Sequence, residues 1–232
     1  MDLRDSALSP AGGFELWGFP GAGKSTQAKL LRGRRELSLV KLRPFPWSFL
    51  TRPSVAVDAM SDPNVMQGVR QGLLRYRNPY GRISRLAVQQ LVALRGRPLH
   101  LIEEGLVHEI WRHLYSAEGQ AFANWQPFMK YVGPNIILLD VEPQEALRRI
   151  HTKRSLGPIN RQLAGVGIEK EQWGRAIAAY HQLHEEIKRT PGVTLSVIKV
   201  DDLQPAEVSE EIVRIVRSCP PLGSGLQHPL GG

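Results

Sequence analysis

Gly18-Phe19-Pro20-Gly21-Ala22-Gly23-Lys24-Ser25 fills every fixed position of the pattern G-x-x-x-x-G-K-[ST]. From average residue usage, a chance match in a chain of this size is on the order of a percent. The flanks make the motif decisive for the fold. Phe14-Glu15-Leu16-Trp17 immediately before it reads as a short apolar strand, and Thr26-Gln27-Ala28-Lys29-Leu30-Leu31 immediately after it starts a helix. Glycines at these positions let successive backbone N–H groups turn inward around phosphate oxygens, and the helix N-terminus adds partial positive charge. Gly18, Pro20, Gly21, Ala22, Gly23, Lys24, Ser25 and Thr26 are the expected nucleotide-binding stretch. Lys24 is expected to reach the β- and γ-phosphates of a nucleoside triphosphate such as ATP, and the Ser25 hydroxyl to ligate Mg²⁺.

Outward from this loop, short apolar runs alternate with longer amphipathic stretches. Strands are expected at Phe14–Trp17, Leu37–Val40, Leu99–Ile102, Asn135–Leu139 and Val193–Val200. Helices are expected at Lys24–Arg34, Pro63–Arg95, Leu106–Ala117, Pro143–Arg154, Lys170–Arg189 and Pro205–Arg217, the last with Val208, Ile212, Ile215 and Val216 on one face. This alternation predicts an α/β chain of the P-loop NTPase fold, a five-stranded parallel sheet flanked by helices with right-handed crossovers. One domain is expected over residues 14–217, between tails at 1–13 and 218–232 that are polar or rich in Pro and Gly. Residues 41–98 are too long for a simple crossover and read as an inserted helical lobe on the acceptor side.

The net charge of +8 is concentrated. Residues 1–26 sum to −1, residues 27–97 carry 14 basic against 3 acidic side chains (+11), and the remainder carries 14 against 16 (−2). A field focused on one section suits an anionic partner. No apolar stretch approaches the roughly 18 residues needed to span a bilayer. Met1 to Gly13 has no continuous apolar run, so a cytoplasmic location is expected. Cys219 is the single cysteine, which excludes an intramolecular disulfide and a cysteine-based zinc site. The scattered histidines lack a carboxylate or cysteine partner set, and tryptophans 17, 47, 111, 125 and 173 read mainly as core anchors.

Two further stretches carry chemistry. Ligands in doubly wound sheets lie beyond the carboxyl ends of the strands, where Leu99-His100-Leu101-Ile102 runs into Glu103-Glu104. One carboxylate there suits Mg²⁺ and the other an acceptor hydroxyl, with Glu103 the first choice for the metal. The run Leu139-Asp140-Val141-Glu142-Pro143 closes a strand and opens a helix. A loop at residues 152–168, framed by Arg154 and Arg161, reads as a lid that brings guanidinium groups to a transferring phosphoryl.

Together, the strand–loop–helix at Phe14–Leu31, the Glu103-Glu104 strand end, the run Leu138-Leu139-Asp140-Val141-Glu142-Pro143-Gln144-Glu145-Ala146-Leu147-Arg148-Arg149-Ile150 and the Ala178-Ala179-Tyr180 helix resemble the thymidylate kinase-like branch of the P-loop nucleoside and nucleotide kinases. The likeness spans most of Phe14 to Arg217. It implies a lid loop, an acceptor-binding lobe, and transfer of the γ-phosphoryl of Mg-ATP to a nucleoside monophosphate or nucleoside. It also implies Lys24, Ser25 and Thr26 at the ATP phosphates, and Arg154 and Arg161 in the lid. The chain departs from that pattern in three places. Glu103-Glu104 stands where the family carries Asp-Arg, Asn160-Arg161 replaces the lid Asp-Arg, and Lys41-Leu42-Arg43-Pro44-Phe45-Pro46-Trp47 replaces the Arg-Glu-Pro-Gly-type segment. Arg43, Arg75 and Arg82 in the basic lobe are the candidate acceptor contacts.

The leading expectation is therefore a phosphotransferase acting on a nucleoside, a nucleoside monophosphate or another small hydroxyl or phosphate acceptor. The alternative is a P-loop ATPase working with a protein or nucleic-acid partner and no small-molecule acceptor. Nucleic acid is the weaker expectation, because no aromatic–basic alternation of single-strand type is present. A homodimer is compatible with the sequence.

Overall fold

The computed structural model describes residues 13–34, 38–40, 53–63, 65–67, 70, 79–94, 100–115, 125–155 and 170–218. In chain order the elements are β1 (Gly13–Gly18), α1 (Lys24–Leu31), β2 (Ser38–Val40), α2 (Pro53–Met60), α3 (Pro79–Leu94), β3 (His100–Ile102), α4 (Leu106–Tyr115), a 3₁₀ turn (Gln126–Tyr131), β4 (Asn135–Asp140), α5 (Pro143–Ser155), α6 (Lys170–Arg189), β5 (Thr194–Lys199) and α7 (Pro205–Ser218). The strands form one parallel sheet in the order β2-β3-β1-β4-β5. β1 is central, with Glu15 opposite Ile102 on one side and Ile136 on the other.

This order explains the composition of β1. A strand paired on both sides and covered on both faces has no solvent side, so its run is apolar without alternation. Phe14, Leu16 and Trp17 are fully buried, and each contributes about 1.5–3 kcal/mol relative to exposure. β3 and β4 lie on opposite sides of β1, so the chain reverses direction across the sheet at the carboxyl end of β1, where open α/β sheets place ligands.

The helices follow their apolar stripes. Leu106, Val107, Ile110 and Trp111 bury one side of α4, which packs against α3 and α6. In α7, Val208, Ile212, Val213 and Val216 are buried; Val213 completes the stripe and Ile215 is only half-buried, because the helix tilts that face onto α1. Within the expected helix over Pro63–Arg95 the described residues 63, 65–67, 70 and 79–94 are helical, the last of them α3, while α2 before it was not among the expected helices. Pro53 opens α2 at the first-turn position where a missing N–H costs nothing. The first part of the expected lid, Thr152 to Ser155, continues α5. Among the described residues, no helix is long and apolar enough to cross a membrane.

Candidate functional site

The loop between β1 and α1 is held from below by aromatic rings. Phe19 is buried and stacks on Tyr180 of α6 at a centroid distance of 4.3 Å. Trp173 stands 5.5 Å away and Trp111 meets the ring edge-on at 5.8 Å. The first half of the loop is therefore fixed by α4 and α6. Tyr180 in turn donates to Asp140 at the end of β4, 2.9 Å away.

The second half of the loop turns into the helix through Gly23, whose φ of 94° lies in the left-handed region that favours glycine. A Cβ at this position would meet no atom within 4 Å, so open space faces the start of α1. The backbone N–H groups of that first turn have no intrahelical acceptor and suit an anion. Lys24 is buried, and its Nζ donates to the carbonyls of Gly18 (2.9 Å) and Phe19 (3.1 Å). Ser25 is exposed and Thr26 half-buried at the same helix start.

A groove of about 340 Å³ adjoins the loop, lined among others by Gly21, Thr26, Arg148, Arg149, Thr152 and Leu203. Arg149 spans it. Its guanidinium donates to Glu145 (2.7 Å) and to the carbonyls of Val200 (3.2 Å) and Asp201 (3.3 Å), tying α5 to the segment after β5. Arg148 and Arg149 together hold the Glu145 carboxyl down to about 2. On the opposite wall, Gln27 donates its amide to the Pro205 carbonyl at 2.9 Å. Arg148 and Arg149 share this groove with the apolar Val200, Leu203 and Pro205, a lining that suits a flat aromatic ring.

The acidic end of β3 comes next to β1 because the two strands pair. Glu103 is half-buried and Glu104 exposed, and both lie in a bend after β3, so the alternation of a strand does not set their directions. The bend is anchored by a residue whose role the sequence reading did not address. Glu15, fully buried on β1, accepts the backbone N–H groups of Val107 (2.8 Å) and His108 (3.3 Å) and the Gln90 side-chain amide (3.0 Å). Burial pushes the Glu15 carboxyl up to about 7, against these hydrogen bonds. A Cβ on Gly105 would stand 2.5 Å from Gln90 Oε1 and 2.6 Å from the Glu15 carboxyl carbon, so only glycine fits there.

His108 is also placed by the structure. Its Nε2 is 3.8 Å from Glu104, and burial, followed by the Lys24 charge, holds the imidazole down to about 3. It is therefore a neutral ring in electrostatic contact with the phosphate loop. In the sequence His108 is one of several scattered histidines; only the pairing of β1 with β3 brings it near Lys24. Glu15 did leave a trace, as a lone charge inside an apolar strand.

The structure brings Gly18 to Thr26, Glu103 and Glu104 to one end of the sheet. Arg82 of α3 bonds to the buried Glu109 at 2.6 Å, which also takes Arg112 (2.8 Å) and His113 (3.0 Å). Burial raises the Glu109 carboxyl, but His113 and the two guanidiniums outweigh it and hold the group below the usual carboxylate range. Arg154 falls on the last turn of α5. Arg43, Arg75, Arg161 and Trp47 lie outside the described residues, whereas Trp17, Trp111, Trp125 and Trp173 are buried as anchors.

A parallel sheet with the Gly18–Ser25 loop leaving its central strand defines an α/β protein of the P-loop type. Among solved structures, the chain is similar to deoxyadenosine kinase from M. mycoides with bound dCTP, at a TM-score of 0.54 and 14% identity over 89% of this chain and 100% of that one. The same enzyme with bound dATP gives 0.55 and 14%, and with the products dCMP and a flexible dCDP 0.54 and 15%, at the same coverage. At such identity the likeness establishes the fold. No family model matches the chain, and no curated protein matches it.

Proposed function

We propose that this chain is a cytoplasmic, ATP-dependent phosphotransferase of thymidylate kinase-like architecture, moving the γ-phosphoryl of Mg-ATP to a nucleoside, a nucleoside monophosphate or another small hydroxyl or phosphate acceptor. The observation that carries the reading is the placement of Lys24 at the open start of α1, after β1, whose neighbouring strand β3 runs into Glu103-Glu104 at the same end of the sheet. The residues fit the nucleotide: Gly23 leaves room before the helix, Lys24 supplies a buried charge, and the groove at Arg149 and Leu203 takes a base. Ser25 and Glu103 are the residues that would hold Mg²⁺, which would supply charge neutralisation for the transferring phosphoryl.

Catalysis then consists of positioning and charge stabilisation. The acceptor oxygen bonds to the γ-phosphorus while the bond to the β,γ-bridging oxygen breaks, and ADP leaves with that electron pair. A hydroxyl acceptor loses its proton toward the Glu103-Glu104 bend. Arg154, at the end of α5, and Arg161 are the proposed lid arginines, with Arg43, Arg75 and Arg82 proposed on the acceptor side. The deoxyadenosine kinases of like fold favour a nucleotide-type substrate.

The test is Mg-ATP turnover by the purified protein, with mass detection of phosphorylated products from nucleosides, nucleotides and sugars. A phosphorylated acceptor, lost in Lys24→Ala, is the expected result. Hydrolysis of ATP with no phosphorylated product from any of them would replace the reading with a partner-driven ATPase.

A further inference from the structure

The bend after β3 and the first turn of α4 hold a pair that phosphate binding does not employ. His108 Nε2 stands 3.8 Å from Glu104 Oε1, one helical turn away. That separation exceeds a direct hydrogen bond, yet one oxygen can stand about 2.9 Å from both atoms at once. The ring is oriented by Trp111, whose centroid is 5.5 Å away, and by its own backbone N–H on Glu15. Its tautomer follows from burial. Nδ1 is enclosed with no hydrogen-bond partner, and an enclosed N–H without an acceptor is the costlier case, so the proton resides on Nε2, facing Glu104.

We infer that Glu104 and His108 together select an acceptor whose reacting group is a hydroxyl and turn away one whose reacting group is a phosphate. The inference rests on the kinase reading above and names its substrate class. A hydroxyl donates one hydrogen bond and accepts another, which matches a carboxylate and an imidazole N–H side by side. A fully ionised phosphate oxygen only accepts. It would meet the N–H of His108 but also the like charge of Glu104, with Glu103 next to it. The described cations around the pair do not reverse this: Lys24, whose charge reaches His108, donates to the Gly18 and Phe19 carbonyls and is assigned to the ATP phosphates, while Arg112 and His113 turn to Glu109, as does Arg82 from α3. The acceptor class is thus a nucleoside or other neutral polyol presenting a free hydroxyl beside Lys24, and transfer follows the step written above, with the hydroxyl proton leaving toward Glu104.

The test offers the full chain γ-labelled ATP, Mg²⁺ and acceptors paired by one phosphate: deoxyadenosine with dAMP, and thymidine with its monophosphate. Products are identified by mass as a phosphate ester or a diphosphate. Esters from the unphosphorylated member, with the diphosphate formed at least about tenfold more slowly, are expected. Preferential diphosphate formation overturns the inference and leaves the kinase reading intact. ATP binding without transfer to either class overturns both. In a second arm, His108→Phe keeps a ring against Trp111 but removes the N–H, and His108→Gln restores a side-chain N–H. His108→Phe is expected to raise the acceptor KM about tenfold, with kcat and the ATP KM little changed, and His108→Gln to recover most of that loss. An acceptor KM that moves in neither variant, or moves equally in both, overturns the inference.

Discussion

Glu15, in the middle of β1, accepts the backbone N–H of Val107 at 2.8 Å and so pins the first turn of α4 to the central strand. The helix that carries His108 and Glu109 is positioned by a buried carboxylate two elements away in the sheet. The electrostatics of this contact are measurable. The Glu15 carboxyl sits at about 7 in the folded chain against 4.5 ordinarily, so between those values the folded state binds a proton that the unfolded state has released. Its contribution is fully present below 4.5 and is lost as pH rises to about 7. His108 works in the opposite direction. Held at about 3 against 6.5, it leaves the unfolded state binding the extra proton, so stability rises with pH across that window. The two oppose each other in wild type. Urea unfolding of His108→Gln should show stability falling, by on the order of 3 kcal/mol, as pH goes from 4.5 to 7. Glu15→Gln should show it rising with pH up to 6.5. Parallel pH slopes in the two variants would contradict this account.

Lys24→Ala removes the buried charge beside the phosphate site. Turnover with Mg-ATP is expected to fall by about a hundredfold or more, since charge stabilisation is the principal means of accelerating phosphoryl transfer. Circular dichroism should show the fold retained, because the Nζ hydrogen bonds to the Gly18 and Phe19 carbonyls lie within the same loop. Activity close to wild type would rule out the phosphotransfer role.

Gly105 and Gly174 should respond oppositely to alanine. At Gly105 the new Cβ meets Gln90 and Glu15, both buried and hydrogen-bonded, and overpacking of this kind costs about 1–3 kcal/mol. At Gly174, inside α6, nothing lies within 4 Å, and alanine should stabilise by about 0.5–1 kcal/mol. Thermal unfolding of the two variants gives the sign directly.

Arg149→Ala opens the wall between α5 and the segment after β5, since the lost guanidinium bonded to Val200 and Asp201. The ATP KM should rise about tenfold with kcat changed much less, the pattern of binding shared by ground and transition states. A fall in kcat with unchanged KM would place Arg149 at the phosphates instead.

Glu109→Ala leaves Arg82, Arg112 and His113 without their common acceptor. The carboxylate is only 8% exposed, so removal should cost about 3 kcal/mol. Arg82 is 55% exposed, and Arg82→Ala should cost about 1 kcal/mol or less. Equal losses of stability in denaturant would mean that Arg82, rather than Glu109, organises the cluster.

The phosphate loop, the strand–helix alternation and the acidic end of β3 were all legible from local pattern. Each depends on residues adjacent in the chain: glycines at fixed spacing, an apolar run with no alternation, a helix start. The helix from Lys170 to Arg189 was read to its ends for the same reason, because its periodicity is uninterrupted. Helix α2, Pro53–Met60, was not among the expected helices, since eight residues are too few to show a clear helical period.

What only the tertiary structure decided are the contacts between residues far apart in sequence. Glu15 reaches Val107 across 92 positions, Gln27 reaches Pro205 across 178, and Phe19 meets rings supplied by α4 and α6. Strand order made these pairs. Placing β1 between β3 and β4 buried Glu15, brought the Glu103-Glu104 bend beside the phosphate loop, and turned His108 from one scattered histidine into a neutral ring next to Lys24. The chemistry of phosphate binding is written in consecutive residues because backbone N–H groups of one turn perform it. The proposed acceptor pair, Glu104 and His108, is itself local, four residues apart, and the sheet decides only which strand end it stands beside.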